Sequence, residues 1–195
     1  MPESIKKIIG DKEGKVFIAL FDWKKDIDYV VKMHKQKSEK HEDSISKILE
    51  QGDEAFKGFL YMLFKNMSIF GFVVWHCIDG KAYRAGIVYL TDMRIGFDGL
   101  FHPIADCEHL RFMAKIKNKD KVMFVAGRLF LDFLFKKLNF IRISSNCFLN
   151  NLLTICFVKR LGFKEEGIKR QSSMLNGIPV DTFNLGIIRK DLTEG

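Results

Sequence analysis

The sequence predicts one α/β domain, a mixed and mostly antiparallel sheet flanked by helices. Three observations carry this. Strand-length apolar runs open the chain and recur through its middle. Two runs at helical spacing, 122–138 and 151–160, separate strand-like segments in the second half. The turn Asn176-Gly177 then joins two such segments into a hairpin. At 195 residues, with 47% hydrophobic residues and 19 Phe, the chain suits a single packed domain over 1–195. Three Pro and no Ser/Gly-rich stretch leave no obvious interdomain linker, and there is no internal repeat.

Residues 15–21 (KVFIALF) read as a first strand. Asp22 caps the helix expected over 23–35. A charged loop follows over 36–43. Residues 44–64 are largely helical, with Ile45, Ile48 and Leu49 at helical spacing and a break at Gly52-Asp53. Strands are expected at 68–78 and 82–90, joined by Asp79-Gly80. Residues 96–101 read as a strand or a loop. Over 109–116, Leu110, Phe112, Ala114 and Ile116 alternate with His109, Arg111, Met113 and Lys115, the pattern of a half-buried strand. The helix 122–138 and a strand at 140–146, with β-branched Ile141 and Ile143, come next. The helix 151–160 ends in Lys159 and Arg160, which complement its dipole, and Gly162 supplies the left-handed cap. Strands 164–174 and 178–188 close the pattern.

The residues of this last part say more. Asn151 and Thr154 in the spacing N-x-x-S/T, Leu161-Gly162-Phe163, Glu165-Glu166-Gly167, Arg170, Asn176-Gly177 and Asp181 follow one another in a telling order. It resembles the C-terminal half of the GNAT-superfamily N-acetyltransferases, and within them the branch that acetylates ribosomal-protein N-termini. The resemblance runs from about Phe124 to Asp191. It implies a single-domain GNAT-like (acyl-CoA N-acyltransferase) fold, acetyl-CoA as cofactor, and acetyl transfer to a protein α-amine or a small amine.

The same resemblance implies a loop R/Q-x-x-G-x-G/A that enters a helix and holds the CoA pyrophosphate on backbone N–H groups. The helix from Ala126 to Leu138 aligns with the family helix, so the loop is expected over 118–124 (NKDKVMF). Both glycines are missing, and Gly127 lies one turn too late. Lys119 and Lys121 either supply charge in place of backbone N–H groups, or the loop no longer binds CoA. Asn151 and Thr154 fall at family positions near the pantetheine arm, where an asparagine equally serves as a helix N-cap. Val158 stands where many family members carry a tyrosine acid.

Acyl transfer to an amine needs a base, because the amine attacks in its neutral form. Glu108 and His109 precede the cofactor loop and are the candidates, Glu108 first. His102, Cys107 and His109 match no zinc spacing, and none of the four cysteines, Cys77, Cys107, Cys147 and Cys156, forms a C-x-x-C, so no metal is expected. They read as reduced thiols of a cytoplasmic protein. The apolar run 69–75 is too short to span a membrane, and the charged N-terminus is no signal peptide. The net charge of +8 fits an acyl-CoA, nucleic acid or an acidic protein surface, but RNA-binding motifs are absent. The Phe-rich stretch 129–135 reads as core. A second functional class remains open: a non-catalytic GNAT-like structural or assembly protein, such as a bacteriophage virion component, with structural protein partners and no CoA.

Overall fold

The computed structural model describes residues 8–38, 48, 50–65, 69–97, 103–114 and 119–192. The strands are β1 (Ile9–Gly10), β2 (Val16–Leu20), β3 (Ile69–Ile78), β4 (Lys81–Phe97), β5 (Pro103–Ala114), β6 (Phe140–Phe148), β7 (Lys164–Leu175) and β8 (Ile178–Ile188). The helices are α1 (Trp23–Ser38), α2 (Asp53–Lys65), α3 (Lys119–Lys137) and α4 (Leu152–Arg160), and a 3₁₀ turn covers Arg189–Leu192. All strands join one sheet in the order β1-β2-β3-β4-β5-β6-β8-β7. Every neighbouring pair is antiparallel except β5 with β6, which is parallel. This is the mixed, mostly antiparallel sheet the sequence predicts.

Local chemistry sets most boundaries. Asp22 caps α1: its Oδ1 accepts the Lys24 N–H at 3.0 Å, and Asp26 Oδ2 accepts the Asp22 N–H at 3.0 Å. The helix runs to Ser38, three residues past the expected end, because Gln36 and Lys37 are good helix formers and nothing there breaks it. Most of the expected loop 36–43 lies outside the described residues, as do Ile45 and Leu49. Gly52, with φ 105, makes the expected break before α2. Asp79 and Gly80 (φ 50 and 74) and Asn176 and Gly177 (φ 51 and 77) are both tight hairpin turns with two positive φ values.

Three expectations need correction. β4 continues to Phe97 instead of ending at 90, so Gly96 is strand, while residues 98–101 lie outside the described residues. β5 begins at Pro103, six residues before the expected start, because residues 103–107 pair with residues 93–97 of β4. α3 begins at Lys119, three residues before the expected start at 122, so Lys119, Asp120 and Lys121, expected in a loop, form its first turn.

Two apolar layers hold the sheet. Phe72, Val74, Val88, Leu90, Ile143, Leu185 and Ile187 face α3 and α4, which contribute Ala126, Phe130, Leu134, Val158 and Leu161 to the same cluster. Val73 and Ile87, one residue out of phase, face α1 and α2 on the other side. The Phe130 and Phe133 rings of α3 pack on Phe70 and Phe72, with centroids 5.4–6.4 Å apart. The Phe-rich helix is therefore core, as the sequence indicates.

Candidate functional site at the split between β5 and β6

The parallel ladder between β5 and β6 is short. Ala105, Asp106 and Cys107 pair with Phe140, Arg142 and Ile143, and no rung follows. Beyond it, β5 continues to Ala114 against β4, and β6 continues to Phe148 against β8. The sheet therefore splits at the C-terminal ends of this parallel pair, where open sheets hold ligands. Only four residues separate the end of β5 at Ala114 from the start of α3 at Lys119, a span of at most about 18 Å. The N-terminus of α3 thus belongs to the same end of the sheet.

The first turn of α3 carries Lys119 and Lys121 where the helix dipole is positive. Cations there cost a helix roughly 0.3–1 kcal/mol, a penalty a bound anion reverses. Lys121 is exposed, with no carboxylate partner among the described residues. Two nearby cations are committed elsewhere. Lys159 Nζ lies 2.6 Å from Glu165 Oε1, a hydrogen bond that holds its ammonium above the ordinary lysine range. Arg160 stacks over the Phe124 ring of α3 at 5.1 Å. Arg128 locks α3 in place by donating to the Leu161 carbonyl (3.4 Å) and the Leu192 carbonyl (2.9 Å).

Asn151 is the N-cap of α4, its Oδ1 accepting the Thr154 N–H at 3.3 Å. The cap role is thus filled. The asparagine is exposed and Thr154 half-buried at the head of the helix that follows β6. Val158 is fully packed in the core, so α4 brings no phenol to the split.

Glu108 and His109 are the first two residues of β5 past the last rung with β6. The β4 register pairs His109 with Thr91 and Arg111 with Tyr89. Cross-strand partners share a sheet face, and Tyr89 packs with the α1–α2 cluster. On this register, position 109 belongs to the α1–α2 face and position 108 to the α3 face. The residues named from sequence therefore sit around one split, but on two sides of the sheet.

A group the sequence reading passed over lies across the split. Glu166 Oε2 accepts from Arg142 Nη2 and, at 2.9 Å, from Asn184 Nδ2. The signal was the pair Glu166-Gly167, since a glycine inside a strand marks a bulge. An apolar cavity lined by Phe21, Val30, His34, Leu60, Gly71 and Tyr89 lies between α1, α2 and the sheet. At about 20 Å³ it admits one water or a methyl group. Among the described residues, no helix is long and apolar enough to cross a membrane.

No family model matches the sequence. A curated relative, the probable N-acetyltransferase YjcK of Bacillus subtilis, is 32% identical over 116 residues, covering 57% of this chain and 64% of the relative. The match thus spans less than two thirds of that relative's length. Solved structures match over nearly the whole chain. The spermidine N-acetyltransferase of Vibrio cholerae in complex with CoA and spermine has a TM-score of 0.67 at 14% identity, covering 92% of this chain and 98% of that one. RimL, a ribosomal-protein α-N-acetyltransferase in complex with coenzyme A, has a TM-score of 0.68 at 13% identity, covering 93% and 98%. A probable GNAT-family acetyltransferase of Chromobacterium violaceum has a TM-score of 0.66 at 17% identity, covering 96% and 89%. The likeness to these structures extends over more than nine tenths of the chain, and it shows that this chain has a GNAT-like fold.

Proposed function

We propose that this protein is an acyl-CoA-dependent N-acyltransferase that moves an acetyl group onto a protein α-amine or a small amine. The observation that carries the reading is the split between β5 and β6 with the N-terminus of α3 beside it. The residues fit the cofactor: a cationic first turn offers N–H groups and Lys119 and Lys121 to a pyrophosphate. Asn151 and Thr154 stand at the head of α4, where the pantetheine arm would pass. Acetyl-CoA supplies an activated thioester. The chain's own part is to hold that thioester in the split, admit the amine from the face opposite α3, and take its proton. The β4 register favours His109 for the proton, since it belongs to the α1–α2 face, with Glu108 as the other candidate. Two of the solved neighbours are named as a spermidine N-acetyltransferase and a ribosomal-protein α-N-acetyltransferase, which supports an amine acceptor here. A cytoplasmic location fits this reading.

One observation favours a second reading. Neither loop glycine is present, so the backbone cannot approach a phosphate as closely as the family pattern allows. A non-catalytic GNAT-fold protein, structural or virion-associated, would need no such approach. Calorimetry with CoA separates the two. In the first reading CoA binds, affinity falls as salt screens the lysines over about 10 Å at 0.1 M, and replacing both Lys119 and Lys121 with Ala flattens that dependence. No binding at millimolar CoA in low salt supports the second reading. Tight binding that neither salt nor the double substitution changes refutes the lysine mechanism and restores a backbone-based site.

A further inference from the structure

Glu166 is held by three separate features of the fold. The first is a bulge. Glu165 pairs with Leu185 and Gly167 with Asn184, so Glu166 is an extra residue in β7, followed by Gly167 at φ 118. Bulges of this kind re-aim a side chain and gather beside active sites. The second is a glycine. The Glu166 carboxylate lies flat on Gly186, where a Cβ would stand 2.3 Å from Oε1 and 2.7 Å from Oε2. The third is a pair of donors. Arg142 and Asn184 both donate to Oε2, which fixes the plane of the carboxylate and leaves Oε1 with no donor among the described residues.

The position matters as much as the hold. Leu185 and Ile187 face α3 and α4, so Gly186 and the carboxylate above it lie on the opposite face. That is the face on which α1 and α2 pack further along the sheet. Gly186 pairs with Ser144, the first residue of β6 past the last rung with β5. The carboxylate therefore stands about one strand spacing, roughly 5 Å, from the β6 side of the split. The neighbouring Lys159 and Lys164 pair with Glu165 and Asp191, each at 2.6 Å. Glu166 keeps 28% of its side chain exposed. A salt bridge that served only to tie β7 to β6 would need neither the bulge nor the bare glycine beneath the carboxylate.

We propose that Glu166 Oε1 is the docking point for the ammonium group of the acceptor, and that Arg142, Asn184 and Gly186 exist to present it. The proposal rests on the acyltransferase reading for its purpose, but not for its test. Glu166 is here a positioning residue: it receives the cationic amine beside the split, and the proton is removed elsewhere.

The test uses the full chain labelled with ¹⁵N and titrated with n-butylammonium, with n-butanol as the uncharged control. Saturable shifts at the amides of Gly167, Asn184 and Gly186 are expected with the ammonium and not with the alcohol. Glu166→Gln should weaken the site about tenfold or more, the loss of one charge-assisted contact. Gly186→Ala keeps every charge but pushes the carboxylate aside, and should weaken it similarly, which covers the case in which Glu166→Gln fails to fold. Equal affinity in either folded variant, or shifts absent from the unsubstituted protein, overturns the proposal. Where transfer is measurable, Glu166→Gln should raise KM for the amine about tenfold, hold kcat, and leave acetyl-CoA affinity unchanged. A fall in kcat at constant KM also overturns it. Failure of acetyl-CoA to bind while n-butylammonium still titrates sinks the acyltransferase reading alone.

Discussion

Gly162 is the position where a single substitution tests most of the local reasoning. It sits past the end of α4 at φ 105, where the Gly162 N–H donates to the Lys159 carbonyl at 2.9 Å and the Phe163 N–H to the Val158 carbonyl at 3.4 Å. This is a Schellman cap, with Val158 and Phe163 forming its apolar contact in the core. A side chain at positive φ costs about 1–2 kcal/mol, and a β-branched one resists most. Space is also short. A Cβ would meet Ile187 Cδ1 at 3.3 Å and the Asp191 carbonyl at 3.6 Å, and the two methyls of valine reach further. Crowding of this kind costs about 1–3 kcal/mol. Gly162→Val should therefore lose roughly 2–5 kcal/mol. At about 2–4 °C per kcal/mol for a chain of this size, 3 kcal/mol lowers Tm by roughly 6–12 °C. Urea unfolding measures the loss directly, as a shifted midpoint at constant slope. Gly162→Asn separates the two terms, because asparagine tolerates positive φ but keeps the crowding. A valine variant with an unchanged midpoint would refute both the cap and the crowding.

Further outcomes follow from other parts of the fold. Phe130→Ala, deleting a fully buried ring that joins α3 to Phe70 and Phe72, should cost about 3–5 kcal/mol in chemical unfolding; a loss under 1 would mean that α3 is not bolted to the sheet there. Asp191, buried, pairs with Lys164 at 2.6 Å and accepts the Ile188 N–H at 3.0 Å. Those contacts, Lys164 foremost, hold its carboxyl below the usual value of 3.8. Its contribution is therefore complete above about pH 4 and lost as pH falls through the lowered folded value. Asp191→Asn should reduce stability at pH 7 and flatten the acid limb of the stability curve; an unchanged acid limb contradicts the ion pair. If transfer activity is present, His109→Ala should reduce kcat more than Glu108→Gln, with acetyl-CoA affinity held, in a neutral-pH assay. The reverse order would return the proton to Glu108 and mean that the register does not decide the acceptor face.

The parts of this fold legible in sequence are those written in neighbouring residues. The Asn176-Gly177 turn demanded two positive φ values and has them. Gly162 and Asp22 announced the helix ends they cap. What escaped depends on distant pairing. Residues 91–97 carry Thr91, Asp92 and Arg94 and do not read as a strand; they become one because residues 103–109 of β5 bond to them. The start of α3 was placed late because Lys119, Asp120 and Lys121 break the apolar period, although nothing in them forbids a helix. The split could not be read from the residues themselves, since a missing rung between two strands leaves no local mark. Glu166 was visible as a letter, but its value comes from Gly186, Arg142 and Asn184, which lie 18 or more residues away.

The split has a mechanical consequence. On one side, β1 to β5 form an antiparallel run of successive strands; on the other, β6, β8 and β7 form a second unit. The two share one short ladder, and among the described residues α3 and the two carbonyl bonds of Arg128 also fasten them. The opening that makes room for a ligand is thus also a seam crossed by only a short backbone ladder. Amide exchange should reveal this as sub-global opening, with the amides of residues 105–107 and 142–143 exchanging before the centres of β3 and β8. A ligand that bridges β5, α3 and α4 would close that seam, and its binding should slow exchange at these rungs more than anywhere else in the sheet.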